Sequence, residues 1–243
     1  MNLLYPECLF LLSVANQQNT EGSIEQMGIS LAQEIEEFVK KWILQNQLGK
    51  ISFVAHSLGG LIVRAALPYL KENYKSKMYT FLSFGVPHLG YLNHQHVLIN
   101  FGMWFLKIWK GSLCLKQLNL GDDKDIRNCF LYKLSKFEGL EWFRNVVLCS
   151  STQDYYVPLE SARIEKIQND NDKNKNIHNE MVDNLLKNIQ NYIIQRLDIN
   201  FEITERGIDY LIGRKAHILF LELQSLMVMI INNFEYLFKN SDY

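Results

Sequence analysis

The sequence predicts an α/β fold, with a mostly parallel sheet covered by helices on both faces. Short apolar runs at 51–55, 79–84 and 143–150 read as buried strands, and segments with helical spacing separate them. The first of these runs leads into the turn Ala55-His56-Ser57-Leu58-Gly59-Gly60 and then into a helix, the order that parallel strands require. With 243 residues, 48% hydrophobic and 21% charged, the composition suits one globular domain over 1–243 and excludes disordered and collagen-like chains.

In chain order, residues 8–14 are expected to form the first strand. The segment 23–47 places Met27, Leu31, Ile35, Phe38 and Trp42 on one helical face, with Glu and Lys opposite and Gly49 closing it. After the strand at 51–55, helical spacing covers 61–70. The strands at 79–84 and 143–150 flank a long insertion from 85 to 140, lid-like over about 88–140. The Asn/Asp/Lys run at 169–176 has nothing to bury and reads as a surface loop. A helix over 180–194, a strand over 197–203 and a buried apolar helix over 219–238 complete the alternation. The most apolar late stretch, 218–231, contains Glu222 and Gln224 and falls short of the roughly 20 apolar residues that cross a bilayer.

Charge excludes one class of partner. The 25 Lys and Arg against 26 Asp and Glu leave a net charge of -1, with no excess positive field to hold a phosphate backbone, so no nucleic-acid partner is expected. The four cysteines, at 8, 114, 129 and 149, have neither CxxC pairing nor disulfide-scaffold density. They suit a reducing, cytoplasmic compartment with buried thiols, and they do not suit structural zinc. The N-terminus lacks a positive stretch, and Pro6 and Glu7 interrupt the apolar run a secretory signal would need.

The turn at Ser57 carries the chemistry. A tight strand-to-helix turn lifts a serine Oγ above the sheet edge and aims the next N–H, that of Leu58, at a developing oxyanion. Small neighbours let strand and helix approach; Ala55 stands at the usual first-glycine position and Gly59 is in place. The alternatives are a buried serine in an ordinary turn or a phosphate-cradling loop, but the latter wants a Gly-Lys-Ser/Thr step that does not occur.

An elbow serine is inert without a base and an orienting carboxylate. Asp154 lies on the loop after the 143–150 strand and is the leading acid, its alternative being a turn before Tyr155-Tyr156-Val157-Pro158. Asp122, Asp123 and Asp125 cluster before a helix, where capping explains them. Ser, Asp, His chain order leaves His178 and His217 as bases. His178 follows the polar loop too closely, so His217 is preferred, read as a loop histidine just before the last helix and able to swing over Ser57.

These residues resemble a known family, the lipase-like serine esterases of the α/β-hydrolase superfamily, and most closely the C-terminal domain of family-with-sequence-similarity-135 proteins. The likeness rests on Lys50-Ile51-Ser52-Phe53-Val54-Ala55-His56-Ser57-Leu58-Gly59, Pro87-His88-Leu89-Gly90, Phe130-Leu131-Tyr132-Lys133-Leu134, Asn145-Val146-Val147-Leu148, Gln153-Asp154-Tyr155-Tyr156-Val157-Pro158 and Leu211-Ile212-Gly213-Arg214-Lys215-Ala216-His217. It implies an α/β-hydrolase fold and a Ser57, Asp154, His217 triad acting on carboxylic esters, lipids included, through an acyl-enzyme. It also implies the Leu58 N–H as oxyanion donor, with His56, Gly59 and His88 shaping the site and no metal or organic cofactor.

Family members begin with a strand ending in a His-Gly loop that supplies a second oxyanion donor, and no such segment precedes Ser57. The expectation is therefore an N-terminally truncated hydrolase with a gap between the strands at 8–14 and 51–55. Those strands then pair directly or leave buried backbone groups unmet. Within the insertion, the aromatic segment 97–109 resembles a lipase lid, with Trp104 and Trp109 for peripheral membrane contact, or else a helix packed on the sheet. The rival reading is a catalytically silent binding or scaffold module, or an inactive fragment.

Overall fold

The computed structural model describes residues 8–18, 22–44, 47–92, 112–168, 174–190, 193–202 and 209–238. Four strands, β1 (Ile51–His56), β2 (Met78–Phe84), β3 (Asn145–Ser150) and β4 (Ile194–Asp198), pair in parallel in the order β1-β2-β3-β4. Parallel neighbours need crossovers, and helices supply them. These are α2 (Leu58–Tyr74) between β1 and β2, and α3 (Leu113–Leu118) and α4 (Phe130–Ser135) between β2 and β3. The β3 to β4 connection carries α5 (Leu159–Arg163) and α6 (Lys175–Leu186). Ahead of the sheet lies α1 (Ile24–Trp42), and after it come α7 (Asp209–Glu222) and α8 (Gln224–Asn233).

Strand alternation sorts the core onto two faces. From β2 and β3, Phe81, Val146 and Leu148 join one apolar cluster with α1, α2, α4 and α6. Leu82, Phe84, Val147 and Cys149 join a second with Ala216, Phe220, Leu226 and Ile230 of α7 and α8. Every residue of β2 is buried, which is why its sequence is apolar on both faces rather than alternating, and its two polar residues, Thr80 and Ser83, donate their hydroxyls to the carbonyls of Leu237 and Val147. The α/β hydrolase-like fold expected from the sequence, with both sheet faces covered, is the fold observed.

Several elements differ from expectation. Residues 8–14 are not a strand. Leu9, Leu12 and Val14 are exposed, and the segment is held over α1 by the Val14 N–H donating to Glu34 Oε1 at 2.9 Å. Neither does it pair directly with β1, which among the described residues bonds only to β2 and leaves Val54 exposed. Ser23 caps α1 by accepting from the Gln26 N–H, but the helix ends at Trp42 rather than 47. Trp42 is exposed, its ring 6.5 Å from that of Phe38 one turn earlier.

Late in the chain the periodicity was ambiguous. Helix α6 is complete by Leu186, short of 194, and the strand begins at Ile194, earlier than 197, because Ile194 already pairs with Val146 of β3. The polar run ends at Asn174, immediately before α6, rather than continuing as loop to 176; residues 169–173 lie outside the described residues. The expected single helix over 219–238 is two, α7 and α8, bent by 57° at Leu223. They are only half buried, with Leu221, Val228 and Met229 exposed. Among the described residues no single helix is long and apolar enough to cross a membrane. Trp104 and Trp109 of the lid-like segment lie outside the described residues. Cys114, Cys129 and Cys149 are buried free thiols, whereas Cys8 is exposed.

The packing of α1 on α2 depends on a close approach at Gly28, where an added Cβ would sit 2.7 Å from the Ala65 backbone carbon. Gly28→Ala should therefore lower unfolding stability by about 1–3 kcal/mol, read from urea midpoints, because rigid backbone must move apart. Gly49→Ala, with open space around the site, should stay within about 0.5 kcal/mol of the parent.

Candidate active site

Ser57 occupies a backbone conformation that side chains rarely adopt, with φ 52° and ψ -130°. It is held there from both sides. Its N–H donates to the Phe84 carbonyl at 3.0 Å, extending the β1 to β2 ladder, and its carbonyl accepts from the Gly60 N–H at 3.2 Å as α2 begins. The turn therefore ends a strand and starts a helix within one residue, and strain of this kind persists only where flanking structure fixes it. The close-packed glycine is Gly60, whose added Cβ would meet Val86 at 2.5 Å, while Gly59 faces open space. Leu58 opens α2, where the first-turn N–H groups and the helix dipole favour negative charge.

The neighbouring strand tips complete a shelf. The Gly85 N–H donates to the Cys149 carbonyl at 3.0 Å, and Gly85 has a φ of +50°. A Cβ there would lie 2.9 Å from Asp154 Oδ2 and 3.2 Å from His217 Nδ1, so the close fit of the acid and base needs a glycine at this position. Past β3, Asp154 Oδ1 accepts the N–H groups of Tyr156 at 2.8 Å and Val157 at 3.2 Å, a turn that locks the carboxylate. Its other oxygen, Oδ2, is 2.7 Å from His217 Nδ1, and both side chains are buried. An imidazole whose Nδ1–H faces a carboxylate presents Nε2 as the free basic nitrogen.

His217 is not on a loop. It sits inside α7, which carries its imidazole on a fixed scaffold, so the expected swinging loop is replaced by a helix docked across the sheet tips. Docking is close because Gly213, one helical turn earlier, packs where a Cβ would be 2.4 Å from Tyr155 Cβ. Tyr156 lies beside the His217 ring at 5.6 Å between centroids. The sequence gives Gly85, Gly213 and Tyr156 no site role, although Gly213 and Tyr156 lie in stretches that carry the resemblance. The available signal for Gly213 was its four-residue spacing from His217, which shares a face only if 213–217 is helical.

Asp154 and His217 are thus brought together from 63 residues apart, and Ser57 lies at the tip of β1, separated from β3 by β2 and next in sequence to His56, which touches His217. Among the described residues the Ser57 hydroxyl makes no hydrogen bond, to His217 or to any other group. His56 joins the pair: its Nε2 is 2.9 Å from the His217 carbonyl, to which it donates, and the two rings are 4.5 Å apart. Burial, then the nearby His217, bring the His56 pKa down to about 4, against the opposing effect of its bond to the carbonyl.

His88 is fully buried against Phe81, with Nε2 3.4 Å from Ser83 Oγ, and its backbone carbonyl accepts from Arg64. Burial, and secondarily Arg64, hold its pKa well below the usual value. His178, in α6, is tied to the Glu165 carbonyl ahead of that helix at 2.8 Å. Asp122 accepts the first N–H of α4, at Phe130, and Asp125 caps a short turn at 126–128, so these carboxylates act as caps.

A profile of the family described as "Putative serine esterase (DUF676)" matches residues 2–170. Two proteins of Saccharomyces cerevisiae (strain ATCC 204508 / S288c) are similar to the chain. "Putative lipase ROG1" is 30% identical over 158 residues, covering 61% of this chain and 22% of that protein. "Putative lipase YDL109C" is 30% identical over 161 residues, covering 61% of this chain and 23% of that protein. The match spans less than a quarter of either relative's length. No solved structure matches the chain. These likenesses support the lipase-like serine esterase resemblance without bearing on the narrower one to family-with-sequence-similarity-135 proteins.

The neutral histidines make stability depend on pH. The unfolded chain takes up a proton on His56 near 6.5 and the folded chain only near 4, so stability is complete above pH 6.5 and falls as pH drops toward 4. His88 contributes in the same direction. Urea midpoints measured between pH 4 and 7.5 should show this slope, and His56→Asn should flatten it by on the order of 2 kcal/mol over the window.

Proposed function

The chain belongs to the DUF676 serine esterase family, and we propose that it hydrolyses carboxylic esters, those of lipids above all, through Ser57, His217 and Asp154. The observation that carries this reading is the buried Asp154 to His217 bond at the rim of the sheet beside the strained Ser57 turn. A carboxylate that fixes the Nδ1–H tautomer, a free Nε2 and a projecting hydroxyl are the parts of an acyl-transfer relay.

In this mechanism His217 Nε2 takes the Ser57 proton as Oγ attacks the ester carbonyl, and the Leu58 N–H supports the oxyanion. His217 then returns the proton to the leaving alcohol, and a water activated by the same nitrogen releases the acid. A modest approach of Ser57 to His217 on substrate binding completes the relay, since catalytic hydrogen bonds are often long before substrate arrives. His56 and Gly59 border the nucleophile. The aromatic segment with Trp104 and Trp109 gives the domain a peripheral contact with lipid surfaces, and the exposed Cys8 thiol suits a reducing cytoplasm. The unbonded Ser57 hydroxyl is the observation that favours the second reading, a hydrolase-fold binding module without turnover.

Fluorophosphonate labelling and hydrolysis of a short-chain p-nitrophenyl ester separate the two. The parent chain should label, and Ser57→Ala and His217→Ala should abolish both labelling and turnover. Asp154→Asn should cut kcat by roughly 1,000- to 10,000-fold through loss of the correct tautomer. An adduct that survives Ser57→Ala, or no labelling of the parent, defeats the triad.

A further inference from the structure

We propose that a cavity floored by Arg64, away from Ser57, binds a compact oxyanion, a carboxylate or a phosphate, on a small apolar body. Arg64 projects from α2 and is 3% exposed. Its polar partners are two backbone carbonyls, His88 at 2.8 Å and Leu134 at 3.2 Å, and among the described residues no carboxylate pairs with it. Burial alone lowers its pKa to about 9. Buried charges in proteins are ordinarily matched by an opposite charge, and two carbonyls use only part of the guanidinium's fork of donors.

Arg64 lines a cavity of about 360 Å³. Two carboxylates also line it, but both are engaged: Glu138 pairs with Lys71 at 2.9 Å, and Glu141 accepts the Gly139 N–H at 2.8 Å. At the exposed end of α6, Lys187 and Asn188 add a cation and an amide donor to the lining, and Lys187 offsets the carbonyls that close that helix. Leu67, Leu134 and Leu185 form apolar wall. A guanidinium at the floor, donors at the mouth and aliphatic sides complement an anion that carries a single aliphatic chain of modest length or none.

Position separates this cavity from the ester site. Its lining comes from Arg64 and Leu67 of α2, from the end of α4 and the segment leading into β3, and from the C-terminal end of α6, and includes none of Ser57, Asp154 or His217. Ser57 and Asp154 lie where strands end. The proposal does not rest on hydrolysis.

Isothermal titration of the full chain with inorganic phosphate and, separately, octanoate tests it. One saturable site is expected for at least one probe. Phosphate binding identifies a free oxyanion, and octanoate binding without phosphate competition identifies an amphiphile's carboxylate. The surface double variant Lys187→Glu, Asn188→Glu should weaken binding by about tenfold or more, and Arg64→Met should remove it. If Arg64→Met does not fold by circular dichroism, the double variant decides. No saturable binding of either probe in the millimolar range, or unchanged affinity in the double variant, overturns the proposal.

Discussion

The bond between Asp154 and His217 is the contact on which the site depends, because it joins α7 to the loop beyond β3 across the tips of the sheet. Such a buried pair is stable only when both partners are held. Asp154 is held by two backbone N–H groups, and His217 by its helix and by the His56 bond to its carbonyl. Removing one partner from a buried pair of this kind costs about 3 to 5 kcal/mol, so the pair ties the C-terminal helices to the fold as well as poising a base.

Close approach is the geometric condition for that bond. Gly85 and Gly213 remove the Cβ atoms that would otherwise hold the carboxylate, the imidazole and the Tyr155 loop apart. Gly60 plays the same part beneath the elbow, against Val86. The strain at Ser57 is sustained by main-chain bonds on either side, one to β2 and one to α2. Rigid surroundings of this kind preorganise donors and a base, which is where most catalytic stabilisation in acyl transfer arises.

Burial treats the remaining titratable groups differently. His56 and His88 are kept neutral, and the thiols of Cys114 and Cys149 are pushed up to about 12, so none of them carries a charge at neutral pH. Arg64 is the exception, a buried cation beside a cavity, tying the loop after β2 to α4 through two carbonyls. Membership of a serine esterase family accords with the first set of features and does not explain the second.

The α/β class, the strands β1 to β3 and the elbow were legible in the sequence, because continuous apolar runs and a strand-turn-helix junction are local signals. The choice of Asp154 and His217 followed from chain order, and the structure pairs those two side chains. Local signals could not show that residues 8–14 stay off the sheet, since a strand exists only through its neighbour. They could not place His217 inside a helix, or show that Gly60 rather than Gly59 packs tightly, or leave Arg64 buried without an acid. Those outcomes are set by distances between segments far apart in the chain, which exist only once both sheet faces are covered and α7 has docked.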